Sequence, residues 1–114
     1  MILSELNTLL EALSIPVETG QFSDRAPDTY AVLAPLTDTF DLYADDRPQW
    51  DTQAVRIVLL VKGNYLATKR RITAALEADE FTITDRTHVQ FDRETGYHQY
   101  AIDVEKTYFF TTEG

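Results

Sequence analysis

The sequence predicts an α+β fold: a mixed, mainly antiparallel sheet of about five strands, an N-terminal helix and one central helix packed on it, and a closing β-hairpin. Three observations carry this. From Ala54 to Thr84 the chain passes from an apolar, β-branched run through Gly63-Asn64 into a helical pattern and then a second β-rich run. Leu6, Leu9, Leu10 and Leu13 repeat at helical spacing near the start. Two further β-rich runs flank Arg93-Glu94-Thr95-Gly96. With 114 residues, one domain spanning 1–114 is expected. Such a chain can bury about two-thirds of its unfolded surface and needs no staples.

The first helix is expected over Ile2 to Leu13. Ser14 and Pro16 end it, because the residue before a proline is pushed out of helical geometry. Val17 to Asp28 reads as a connection, with Gly20, Ser23-Asp24 and Pro27-Asp28 as turn chemistry. Asp28-Thr29 opens a strand, Tyr30 to Ala34, with Pro35 at its end. Leu36-Thr37-Asp38 is expected as a hairpin turn into a second strand, Thr39 to Ala44, with Phe40, Leu42 and Ala44 on one face. Asp45-Asp46-Arg47-Pro48 reads as a turn or longer loop before Gln49-Trp50-Asp51. Trp50, the only tryptophan, is either a lid on the core or an interface anchor.

Ala54 to Val61 is apolar at successive positions, which predicts a central strand covered on both faces by helices or by a partner subunit. Asn64 is placed to cap the helix Tyr65 to Ala78. Tyr65, Thr68, Ile72, Ala75 and Leu76 share its inner face, and Arg70, Ala74 and Glu77 the outer one. Lys69-Arg70-Arg71 is the one basic cluster, spread around the helix rather than gathered into a patch. The last strands are expected over Phe81 to Asp92 and Tyr97 to Phe109. A four-residue turn pairs Phe91 with His98 and Val89 with Tyr100, and sets Arg86 opposite Asp103. A bulge near Asp85 would disturb the far end of that ladder. Tyr108-Phe109-Phe110 must pack in the sheet or against another subunit.

The formal charge is −9. Residues 1–53 hold ten acids against Arg25 and Arg47, and residues 54–114 hold nine acids and eight bases. Such a balance repels phosphate and argues against nucleic-acid binding as the main activity. The simplest role of the acidic half is a solubilising surface. There is no cysteine, which removes disulfides and thiolate metal sites and fits a reducing compartment. No secretory signal and no membrane span are expected.

No catalytic motif is spelled out. No G-x-S-x-G elbow and no glycine-rich phosphate loop are present. His88 and His98 fall on opposite faces in the expected register, so they cannot share a metal. Asp38, Asp41, Asp45, Asp46 and Asp51 would suit a hard cation in ligand type, but their spacing matches no EF-hand loop. No cofactor is expected.

Several phrases occur together: Tyr30-Ala31-Val32-Leu33-Ala34-Pro35-Leu36, Asp38-Thr39-Phe40-Asp41-Leu42-Tyr43-Ala44-Asp45, Lys62-Gly63-Asn64-Tyr65, Phe81-Thr82-Ile83-Thr84-Asp85-Arg86 and Thr95-Gly96-Tyr97-His98-Gln99-Tyr100-Ala101-Ile102-Asp103-Val104. In this order they resemble short neck and tail-assembly proteins of bacteriophages and prophages with long non-contractile tails. The layout is similar to the tail-terminator, tail-completion or head–tail joining proteins. The resemblance implies a non-enzymatic structural protein of the virion, made in the bacterial host cytoplasm. It would assemble into a ring, commonly hexameric, with the tail tube protein and a head-completion or connector protein as partners. An acidic ring lumen would repel passing DNA. Asp41, Asp45, Asp46, Trp50 and Asp51 are therefore the candidates for a lumen or tube-facing surface. Lys69, Arg70 and Arg71 are candidates for contact with a neighbouring copy. The alternatives are another neck or tail-assembly protein, and an acidic regulatory protein that binds a host factor; a small hydrolase ranks last.

Overall fold

Two helices lie on one face of a five-stranded sheet in the computed structural model, which describes residues 2–18, 27–41 and 49–110. In chain order the elements are α1 (Ile2–Ala12), β1 (Val17–Glu18), β2 (Thr29–Asp41), β3 (Gln49–Lys62), α2 (Tyr65–Ala78), β4 (Thr82–Phe91) and β5 (Tyr97–Phe110). The strands stand in the order β1-β2-β3-β5-β4. Four of them are antiparallel, and the two-residue β1 runs parallel to β2. The α+β class with about five strands and two helices is as expected. β1 was not: two residues inside a turn-rich segment carry no period of their own.

Both helices obey their stripes. Ile2, Leu6, Leu9 and Leu10 of α1 are buried, and Leu13 packs against the same cluster. In α2, Ile72 and Leu76 are fully buried while Arg70, Ala74 and Glu77 face out. Asn64 caps α2 as expected, its Oδ1 accepting from the Leu66 N–H at 3.1 Å. The two helices also stop alike. Ser14 and Glu80 take left-handed φ values of 62° and 66°. The next residue's N–H then returns to the carbonyl five positions back, Ile15 to Leu10 at 2.9 Å and Phe81 to Leu76 at 3.0 Å. Each turn thereby drives an apolar side chain, Ile15 or Phe81, into the core.

β2 corrects the expected hairpin at Leu36-Thr37-Asp38. The chain does not turn there; it runs straight on from Thr29 to Asp41 along β3. Leu36 is instead the extra residue of a bulge, since Pro35 pairs with Val55 and Thr37 with Ala54. Proline is tolerated for a positional reason. The Ala31 N–H points away from β3, to the Pro16 carbonyl at 2.9 Å. Alternate residues aim the same way, so the nitrogen of Pro35 lies on the outer edge, where the β2–β3 ladder needs no donor. The connection 45–48 lies outside the described residues.

β3 is central, between β2 and β5, but it is buried on one face only. Asp51, Gln53, Val55, Ile57, Leu59 and Val61 are buried beneath the helices. Ala54, Val58 and Leu60 are half-exposed on the opposite face, and Arg56 is exposed there. No described element of the chain covers that face, so of the two expected covers, helices or a partner subunit, the helices supply one face only. A run of apolar residues reads the same whether its second face is dry or only half-shielded.

The sheet outruns its helices. α1 begins over Gln53, whose Oε1 accepts from the Ile2 N–H at 3.0 Å. The ladders continue beyond it to Asp41↔Trp50 and Gln49↔Phe110. A 14-residue strand spans roughly 45 Å, which accounts for principal extents of 55 × 28 × 24 Å. The radius of gyration, 16.1 Å, exceeds the roughly 13 Å of a compact chain this long.

Candidate interaction surfaces

The acidic candidates separate. Asp41 ends β2 opposite Trp50 in the ladder. The side chains of Asp41 and Trp50, and the whole of Asp45 and Asp46, lie outside the described residues. Asp51 is described, and it is not a surface charge: the residue is 4% exposed and points under α1. Its Oδ2 accepts from Gln53 Nε2 at 2.7 Å, and Gln53 in turn holds the first N–H of α1. Its position was legible, since Asp51 and Gln53 are in phase with Val55, Ile57 and Leu59.

Asp51 belongs to a polar network that no motif announced. Lys106 Nζ donates to Glu5 Oε1 at 2.9 Å and to the Asp79 carbonyl at 3.0 Å, and lies 4.5 Å from the Phe81 ring centre. Tyr108, opposite Asp51 in the ladder, stands beside Glu5. Asp51 Oδ1 is buried with no hydrogen-bond partner among the described residues. Burial, then the Glu5 carboxylate and the charge of Asp51, push the Tyr108 hydroxyl well above its usual ionisation range. Burial opposes the charge on Glu5, but Tyr108 and Lys106 outweigh it and hold its carboxyl below the usual value.

The basic cluster also separates, as spacing around a helix requires. Lys69 lies 5.3 Å from the Tyr100 ring centre. Arg71 Nη2 donates to the Leu13 carbonyl at 2.7 Å, tying α2 to the end of α1. Arg70 faces outward, with no ion pair among the described residues. Of the three, only Arg70 stands fully ready to meet another molecule.

The uncovered sheet face is a mixed surface. Arg56 grips Asp103 with two hydrogen bonds, of 2.8 and 3.0 Å. Tyr30, Val32, Ala34, Val58, Leu60 and Ala101 are half-exposed around that pair. A shallow cleft of ≈ 220 Å³ lies at one end, lined in part by Tyr30, Leu60, Tyr97 and Gln99. It is smaller than the roughly 300–1,000 Å³ of typical small-molecule sites.

The β4–β5 ladder corrects the histidines. Phe91 pairs with His98 as expected, but the ladder then slips twice, between His88 and Gln90 and between Ile83 and Asp85. Tyr100 therefore faces His88 rather than Val89, and Asp103 faces Asp85 rather than Arg86. Arg56 of β3 supplies the cation that Arg86 was expected to bring. The first slip also moves His88 onto the face of His98, and their rings meet, Nε2 to Nδ1, at 3.1 Å. Tyr65 lies against both, its ring centre 5.1 Å from His88 and 4.7 Å from His98, and Phe91 is 4.6 Å from His98. Among the described residues no group of three or more His, Cys, Asp or Glu is placed to hold a metal ion. No protein-family model matches the chain, and no curated protein shows significant similarity to it.

Proposed function

We propose that this chain is a self-assembling, non-enzymatic subunit of a phage tail or neck, of the tail-terminator or head–tail joining kind, which forms a ring at the end of the tail tube. The observation that carries the reading beyond resemblance is the uncovered sheet face. A central strand whose second face is apolar at Val58 and Leu60 but half-exposed offers a surface that a second copy can finish. The extension of β2, β3 and β5 past α1 supports the same reading, because a ring subunit must reach its neighbour. The phrases behind the resemblance fall mainly on β2, on the turn into α2, on β4 and on β5, that is, on the framework of the sheet.

The surface assignment is narrower than the sequence alone suggested. Asp51 leaves the set because it is buried. Asp41, Asp45 and Asp46 remain the acidic candidates, and Arg70 is the basic one. Electron microscopy of virions lacking the protein tests the role. Tails of uncontrolled length, or complete heads and tails left unjoined, are expected; normal virions would end the proposal. Replacing Asp41, Asp45 and Asp46 together by Asn separates charge from fold. Joining or DNA passage is expected to fail while the isolated protein unfolds as before, and full-titre phage would remove the acidic surface from the mechanism.

A further inference from the structure

The bulge between His88 and Gln90 has a chemical result. Counting by alternation from Phe91, His88 would face away from His98. The extra residue, Val89, turns it back, and Val89 itself is left 49% exposed. Bulges are a recurring device for re-aiming one side chain on a strand. Here the device sets two imidazole nitrogens 3.1 Å apart at the edge of the sheet.

That separation is the one that two ligands of one metal ion need. With metal–nitrogen bonds of about 2.0–2.1 Å, adjacent nitrogens lie roughly 2.9 Å apart at octahedral angles and roughly 3.3 Å apart at tetrahedral ones. The rings are also kept side by side, since Tyr65 packs on both and Phe91 packs on His98; chelation requires each ring to tilt, turning its lone pair from the other imidazole to a shared point. Without a metal, one imidazole donates its N–H to the other. A metal would take the place of that shared proton, leaving both facing nitrogens as lone-pair donors and the other two protonated.

We propose that His88 and His98 form a two-imidazole site for a late first-row divalent cation, with water completing the coordination. Nitrogen donors select such ions over Mg²⁺ and Ca²⁺, which prefer oxygen. The site lies on β4 and β5 and needs no second copy, so it stands or falls independently of the assembly role.

The test uses the full chain titrated with the chloride salts of Cu²⁺, Ni²⁺ and Zn²⁺ in turn, followed by calorimetry and by the histidine proton resonances for the diamagnetic Zn²⁺. One equivalent per chain is expected, with Cu²⁺ tightest. His88→Gln and His98→Gln should each weaken binding by at least about tenfold, because either leaves a lone imidazole. The electron paramagnetic spectrum of the Cu²⁺ form should show two coordinating nitrogens. Circular dichroism of both variants should match the parent. No saturable binding at millimolar metal would overturn the site. So would binding that only one substitution weakens, or a spectrum with one coordinating nitrogen.

Discussion

The two faces of the sheet share strands and differ in chemistry. On the helix-covered face, β3 presents Val55, Ile57, Leu59 and Val61, all at most 2% exposed, and β5 presents Ile102 and Val104, both at 0%. On the other face the same strands present Val58, Leu60, Ala101 and the Arg56–Asp103 pair, and none of the apolar ones is fully buried. The primary structure of β3 hardly distinguishes Ile57 from Val58. What distinguishes them is which side the two helices occupy. One face is finished by the chain itself, and the other is left uncovered by every described element.

The comparison breaks most directly at those two neighbours. Ile57→Ala should cost about 2–5 kcal/mol, because the lost side chain leaves a cavity among fixed neighbours. Val58→Ala should cost less than about 1 kcal/mol in the isolated protein, since the half-exposed site gives up little packing and refills with water. Urea unfolding of the two variants checks this, and equal losses would mean that both faces are equally packed. If a second copy covers the open face, Val58→Ala should weaken self-association more than it weakens folding.

Polar groups allow the same contrast on a smaller scale. Asp51→Ala removes the acceptor of Gln53 on the covered face, and Gln53 anchors the start of α1. Leaving that amide unsatisfied should cost about 1–3 kcal/mol. Arg56→Ala on the open face removes a side chain that is 46% exposed, and a smaller loss is expected. Thermal unfolding in low and in molar salt separates them further. The Arg56–Asp103 contribution should fade with salt, and the Asp51–Gln53 contribution should not.

These contrasts also mark what could be read in advance. α1 and α2 were legible because an apolar stripe, a cap and a stop signal all agree at their ends. β3 was legible as a strand but not as a one-sided one, since Ala54, Val58 and Leu60 look as apolar as their buried neighbours. Pro35 suggested an end, yet it sits where only the outer edge loses a donor. The bulges at Leu36 and near Val89 left no mark that alternation could detect, and each reversed a conclusion downstream: a hairpin that is a continuous strand, and histidines that meet instead of parting. Asp51 was readable from its phase with Val55. Its charge suggests the surface, but its position in the alternation places it inside.

The pH dependence of stability follows from Glu5 and Tyr108 on the covered face. Glu5 is held below its reference value of 4.5, so its contribution is full above that pH and is lost as the pH falls through the folded value. Tyr108 is raised above its reference value of 10.0. Its contribution is therefore full below pH 10 and declines as the pH rises towards the folded value. Tyr108→Phe should flatten the alkaline limb and Glu5→Gln should flatten the acid one, with unfolding followed by intrinsic fluorescence across pH. An alkaline limb unchanged in Tyr108→Phe would show that this hydroxyl is not what ionises.

The smallest expected effect lies at the corner where the chain leaves α2 and Phe81 enters the covered face. Glu80 holds φ at 66°, a region that costs an L-residue roughly 1–2 kcal/mol. Glycine would relieve that cost and give back part of the gain through a freer unfolded chain, roughly 0.5–1 kcal/mol. Glu80→Gly should therefore stabilise by about 0.5 kcal/mol. Gly63 supplies the opposite control. Its φ is +95°, and an added Cβ would meet nothing within 4 Å. Gly63→Ala should then destabilise by about 1 kcal/mol through backbone strain alone. Opposite signs at two positive-φ positions would place the effect in the backbone. A loss of stability in Glu80→Gly would mean instead that the Glu80 side chain itself helps to hold Phe81 in the core.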